Sequence, residues 1–119
     1  MVIDDDRALL EGVKSILSAE GYDVFPAPSG RAALRLLPSL PSLDVVITDV
    51  RLPYMQLHEL VVRLRDLTSA SIIVMSGAPR EQLGPLPTQV VAFLTKPLLP
   101  ATLLATVARA LGPSTEPTP

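Results

Sequence analysis

Four short stretches of this chain carry residues able to do chemistry together. They are Asp4-Asp5-Asp6, Asp49, Ser76 and Lys96. Carboxylates that converge repel one another unless something neutralises them. Three arrangements satisfy that demand. Each aspartate can cap a helix or close a turn; two can share a proton as an acid pair for hydrolysis; or several can hold a divalent cation. Oxygen ligands without His or Cys suit Mg²⁺, which keeps several of its waters. Asp6, just ahead of a helical pattern, reads as a cap. Asp4, Asp5 and Asp49 read as a metal set, because no capping role needs residues from two distant segments. Lys96 is either a solvated loop lysine or a point charge for a phosphoryl oxygen. Ser76 is either a turn residue before Gly77 or a hydroxyl donor to a second phosphoryl oxygen. Taken together, a metal, a lysine and a hydroxyl share out the oxygens of a phosphoryl group moving onto a carboxylate.

That chemistry requires elements that bring residues 4, 49, 76 and 96 to one place. Met1–Ile3 is a short apolar run. Residues 7–20 place Leu9, Leu10, Val13, Ile16 and Leu17 on one helical face, with Gly21 at the helix end. Tyr22–Phe25 reads as a strand ending at Pro26, and Ser29 as the cap of a helix stopped by Pro38. Residues 43–49 and 71–76 hold the continuous β-branched runs of strands covered on both faces. Residues 56–67 carry a helical spacing. Residues 90–94 form a fifth strand, and residues 100–111 a last helix with Pro100 in its first turn. The 13 prolines fall mostly between these segments, as punctuation. Alternating strands and helices imply a mostly parallel sheet, with its functional crevice at the strands' carboxyl ends. Asp4–Asp6, Asp49, Ser76 and Lys96 all stand at such ends.

Composition removes other classes. There is no cysteine, which excludes a disulfide scaffold, a thiolate zinc site and a cysteine nucleophile. A single histidine, His58, argues against a histidine metal site or a Ser-His-Asp triad. A net charge of −2 offers no case for direct nucleic-acid or anionic-membrane binding. No apolar run approaches the ~20 residues of a bilayer span, and no signal peptide opens the chain. The expectation is a soluble, cytoplasmic domain over residues 1–112, followed by a disordered, Pro-rich tail or linker over 113–119.

Val2-Ile3-Asp4-Asp5-Asp6, then Ile47-Thr48-Asp49-Val50-Arg51-Leu52-Pro53, Ile73-Val74-Met75-Ser76-Gly77 and Phe93-Leu94-Thr95-Lys96-Pro97 resemble, in that order and spacing, the receiver domain of two-component response regulators. The resemblance implies a doubly wound, five-stranded parallel α/β fold of the flavodoxin-like kind. It implies Asp49 as phosphoacceptor from a histidine kinase or phosphotransfer protein, with a possible effector domain or partner protein downstream. Asp5 then binds Mg²⁺ directly, Asp4 assists through water, and Arg51 contributes its backbone carbonyl. Ser76 is the switch hydroxyl, Lys96 the phosphate lysine, Phe93 the switch aromatic, and Lys96–Pro97 a cis bond. The expected state is a monomer or weak dimer, acting as a signalling switch and not as an enzyme on other substrates.

The chain departs from that family in three places. Tyr54-Met55-Gln56-Leu57 replaces a glycine-bearing loop, so a different loop is expected, with Tyr54 shading the pocket. Residues 77–89, with Pro79, Pro85 and Pro87, leave room for a short or irregular fourth helix only, which puts the family's dimer surface in question. The first strand normally has one or two more apolar residues, and a clipped start reduces stability. An interaction module that signals without phosphorylation is therefore the alternative. A phosphohydrolase with an aspartate nucleophile, of the haloacid-dehalogenase kind, ranks last: its acid two residues after the nucleophile is Arg51 here, its motif order differs, and it usually carries a cap.

Overall fold

The computed structural model describes residues 1–112; the tail expected over 113–119 lies outside them. Five strands form one parallel sheet in the order β2-β1-β3-β4-β5, with β1 Val2–Ile3, β2 Pro26–Ala27, β3 Val45–Asp49, β4 Ser71–Ser76 and β5 Val90–Thr95. Four α-helices connect and cover them: α1 Arg7–Ala19, α2 Gly30–Leu36, α3 Leu57–Leu67 and α4 Pro100–Ala110. The parallel sheet is the one expected from the alternation, and its doubly wound order is the one the resemblance implies.

The two-residue side-chain period of the strands divides the core into two layers. Ile3, Val46, Ile72 and Val74 point to the face covered by α2 and α3. Val2, Ile47, Ile73, Met75 and Leu94 point to the face covered by α1 and α4. Leu60, Leu64 and Leu103 are fully buried in these layers, and burying each contributes about 1.5–3 kcal/mol. Since both faces are packed, the central strands read as unbroken apolar runs.

Helix ends follow their local chemistry. The Asp6 side chain accepts a hydrogen bond from the Leu9 amide at 3.2 Å and caps α1. At the other end the Tyr22 amide bonds the Leu17 carbonyl and the Gly21 amide bonds that of Ser18, with Gly21 at φ +90°. That pair of reversed bonds needs a left-handed residue, which glycine adopts without a Cβ clash. Ser29 caps α2 through the Ala32 amide at 3.0 Å. Pro38 does not stop that helix outright; it sits in a 3-10 turn over Leu37–Ser39.

The second strand differs from expectation: it is Pro26–Ala27, not Tyr22–Phe25. The reason lies in the ladder. Val2 N–H donates to the Phe25 carbonyl at 3.0 Å and Asp4 N–H to that of Ala27 at 3.2 Å. Residue 26 of this edge strand therefore has its nitrogen facing away from β1, where proline's missing N–H costs nothing.

Where a fourth helix was expected short or irregular, the chain makes one 3-10 turn, Arg80–Gln82, between β4 and β5. Arg80 Nη1 donates to the Gly84 carbonyl at 2.9 Å, and Gly84 turns at φ +69° before Pro85. One turn covers little of the neighbouring edge strand, and Val91 of β5 remains 57% exposed. No helix among the described residues is long and apolar enough to cross a membrane.

Candidate functional site

The parallel sheet brings the ends of β1, β3 and β5 together at one edge. Asp4 follows β1 directly, continuing the Val2–Asp4 alternation; Asp49 ends β3 on the side of Ile47; Lys96 follows β5 in the phase of Ala92 and Leu94. All three share the face that α1 and α4 cover, so their side chains meet. Lys96 Nζ lies 2.7 Å from Asp4 Oδ2 and 2.8 Å from Asp49 Oδ2.

Each partner is held from a second direction. The Asp6 amide donates to Asp4 Oδ1 at 2.8 Å, and the Arg51 amide to Asp49 Oδ1 at 3.1 Å. Asp4 is fully buried. Burial works against its ionisation, but the hydrogen bonds from Lys96 and the Asp6 amide outweigh it and hold its carboxyl below the usual range. For Lys96 burial works against the charge, and its bonds to Asp4 and Asp49 outweigh that and push its ammonium above the usual value. Asp4 and Lys96 thus favour each other's charged form.

Asp5 is exposed. Even so, one carboxylate oxygen from each of Asp4, Asp5 and Asp49 falls within 4.8 Å of the others. Three hard oxygen donors at that separation fit a magnesium-sized cation that keeps water in its remaining positions. The donors are unequal. Both Asp4 oxygens already accept hydrogen bonds, whereas among the described residues no such bond engages Asp5.

Ser76 ends β4 beside Asp49, whose register partner is Met75. Its side chain is nearly buried, and its oxygen accepts from the Ala78 amide at 3.0 Å. It is on the opposite phase of the sheet from Asp49, and no hydrogen bond joins the two. Phe93 is half-buried on β5 and packs against the layer under α2 and α3. Lys96–Pro97 is cis. His58 is an exposed residue of α3.

The loop after Asp49 corrects one expectation. Leu52 and Met55 bridge across Pro53 and Tyr54, and Tyr54 itself takes φ 61°. Proline followed by a residue of positive φ is the type II turn pattern, which normally selects glycine at the second place. Tyrosine accepts that conformation at a cost of about 1–2 kcal/mol. Its side chain is 100% exposed, so it shades nothing. Sequence reasoning also passed over Thr48, fully buried with Oγ1 donating to the Asp49 carbonyl at 3.0 Å; a threonine inside an apolar run carries no signal that separates this from ordinary strand preference. A Cβ at Gly77 would meet nothing within 4 Å, so open space lies beside Ser76.

Comparison with known proteins agrees with this arrangement. A family model, the response regulator receiver domain, matches residues 1–108. The response regulator MprA of Mycolicibacterium vanbaalenii is 34% identical over 98% of this chain and 51% of its own length. The transcriptional regulatory protein KdpE of Mycobacterium tuberculosis is 38% identical over 65% of this chain and 34% of its own. The chain thus spans about half or less of these curated relatives. Among solved structures, a CheY-like receiver domain protein from Methanospirillum hungatei superimposes with a TM-score of 0.79 at 29% identity, covering 94% of this chain and 92% of that one. A receiver domain from Clostridium thermocellum gives 0.81 at 26%, covering 92% and 90%. The strand order, the polar strand ends and the match over nearly the whole length lead to one conclusion: the chain belongs to the response regulator receiver domain family.

Proposed function

We propose that residues 1–112 form a phosphorylatable switch in which Asp49 accepts a phosphoryl group from the phosphohistidine of a histidine kinase or phosphotransfer protein. The observation that carries the reading is the joint position of Asp49 and Lys96, 2.8 Å apart, with Asp4 and Asp5 beside them. A carboxylate oxygen of Asp49 attacks phosphorus; the phosphorus–nitrogen bond to the donor imidazole breaks, and the imidazole leaves with that electron pair and takes up a proton. Asp5, Asp49 and the Arg51 carbonyl would hold Mg²⁺, with Asp4 assisting through water, and the ion supplies charge neutralisation at the phosphoryl oxygens. Lys96 keeps its position between strands and turns its ammonium from Asp49 Oδ2 to a phosphoryl oxygen. Ser76 gives up its bond with the Ala78 amide and donates its hydroxyl to another, and Phe93 follows it as the switch aromatic. The domain acts on itself, in phosphorylation and in the return hydrolysis, and not as an enzyme on other substrates. Its output goes to an effector domain or partner protein in the cytoplasm, with no direct nucleic-acid contact by this domain and at most a weak dimer.

The test is intact-mass spectrometry after incubation with acetyl phosphate and Mg²⁺. One added phosphate is expected, absent in Asp49→Asn and in the presence of chelator. A second reading, an interaction module independent of phosphorylation, is favoured by the single turn at Arg80–Gln82, in the segment where only a short or irregular helix was expected. Absence of a Mg²⁺-dependent adduct, with no binding of beryllofluoride, would establish that reading in place of the first.

A further inference from the structure

The turn after Asp49 holds a conformation that its residues do not favour. Tyr54 takes φ 61°, a region that strains an L residue and persists only where the surroundings enforce it. The Tyr54 ring is no part of that enforcement, being fully exposed, and Pro53 beside it is exposed as well. The following helix does not fasten the turn from its end either: Gln56, the N-cap of α3, makes no side-chain capping bond. The hold therefore falls to the two flanking residues, Leu52 and Met55, which bridge one another.

Both reach back to one place. Gly30 is the buried first residue of α2. A Cβ built on it would lie 2.9 Å from Met55 Sδ, 3.5 Å from Leu60 Cδ1 and 3.6 Å from Leu52 Cδ1. Cβ atoms essentially never come as close as the first of these distances, so the Met55 sulfur fills the space that a side chain at residue 30 would take. An unbranched, polarisable thioether suits a narrow notch of that kind. What the seat controls follows from connectivity. If Tyr54 relaxed to negative φ, the chain would no longer fold back, and Met55 would part from Leu52. The Arg51 carbonyl belongs to the peptide that joins Arg51 to Leu52, so its direction depends on where Leu52 is held. The near side of Arg51 is already fixed: its amide donates to Asp49 Oδ1 at 3.1 Å, and the Val50 amide to the Met75 carbonyl at 3.0 Å.

We propose that Met55 is a positioning residue for metal binding: its thioether, seated over Gly30, keeps Tyr54 in a glycine-like conformation and so keeps the Arg51 carbonyl aimed at the edge that carries Asp5 and Asp49. This role rests on the reading of that carbonyl as a Mg²⁺ ligand. Met55 touches neither the ion nor the phosphoryl group in this arrangement. It acts through the turn, and its importance comes from the tyrosine beside it: a residue that takes positive φ without strain would need no such anchor.

That dependence on Tyr54 gives the test. Mg²⁺ affinity is measured by calorimetry, and hydrogen exchange of the Arg51 amide is measured in the metal-free chain. Met55→Ala is expected to weaken Mg²⁺ binding about fivefold or more, because the competent turn becomes a minor population, and to speed Arg51 exchange. Met55→Leu, which refills the notch with apolar bulk, is expected to keep the affinity within about threefold of the unsubstituted chain. In a Tyr54→Gly background, Met55→Ala is expected to lose most of its effect on both quantities. The proposal is overturned if Met55→Ala changes neither quantity, or if its effect is as large in the Tyr54→Gly background, since Met55 would then act by packing alone. An unsubstituted chain that binds no Mg²⁺ overturns the metal reading and this role with it, whereas Mg²⁺ binding indifferent to Met55→Ala overturns the role only.

Discussion

The Lys96 ammonium donates to the Asp49 carboxylate at 2.8 Å, across 47 residues of chain. The same ammonium reaches Asp4 at 2.7 Å, so one cation stands between two carboxylates that would otherwise face each other in a nearly dry place. Removing it leaves both charges without a partner. Lys96→Ala is expected to destabilise the metal-free domain by about 2–3 kcal/mol, a little under the usual figure for a broken buried pair because Lys96 is 22% exposed. Denaturant unfolding measures it. Saturating Mg²⁺ should restore part of the loss, and Lys96→Arg should not restore phosphorylation, since a planar fork does not replace a point charge between two oxygens.

Asp5 adds a third carboxylate to a cluster with one cation. Its side chain is exposed, so Asp5→Asn is expected to leave the stability of the metal-free domain within about 0.5 kcal/mol of its value. It should also abolish the rise of Tm with Mg²⁺ that the unsubstituted domain shows. A Mg²⁺ titration followed by thermal unfolding reads both effects; an unchanged metal response would remove Asp5 from the ligand set.

Tyr54 holds φ 61° with a fully exposed side chain. Nothing in the fold is gained from the ring, while the backbone pays for the Cβ. Tyr54→Gly is expected to stabilise by about 0.5–1 kcal/mol, the left-handed penalty of about 1–2 kcal/mol less glycine's greater freedom when unfolded. Tyr54→Val, β-branched at the same φ, should destabilise. Urea midpoints of the three chains rank the effect.

The Met1 ammonium makes stability depend on pH. Its pKa is lowered from 8.0 to about 6 in the folded chain, so the unfolded chain binds more protons between those values. Stability then rises as pH increases from about 6 to about 8, by at most about 2–3 kcal/mol, and is lowest below pH 6. Chemical denaturation across that range checks the slope, and N-acetylation should flatten it.

Much of this molecule is readable from residue order alone. Continuous β-branched runs at 45–49 and 71–76, separated by helical spacings, demand a parallel sheet with both faces covered, and parallel strands necessarily gather their carboxyl ends. That places Asp4, Asp5, Asp49, Ser76 and Lys96 on one edge before any coordinates are known. The capping roles of Asp6, Ser29 and Gly21 are equally local, each depending on a side chain or a glycine within three residues of the bond it serves. Pairings between distant segments are another matter. That Lys96 binds both Asp4 and Asp49, while the Ser76 oxygen takes its bond from Ala78, depends on the phase in which each strand reaches the edge. The second strand lies at 26–27 and not at 22–25 because β1 places its ladder bonds there. Tyr54 takes a glycine's conformation because Leu52 and Met55 close the turn around it. Local sequence selects elements through propensity and period; which atoms touch is decided by register, and register is a property of strands packed against each other.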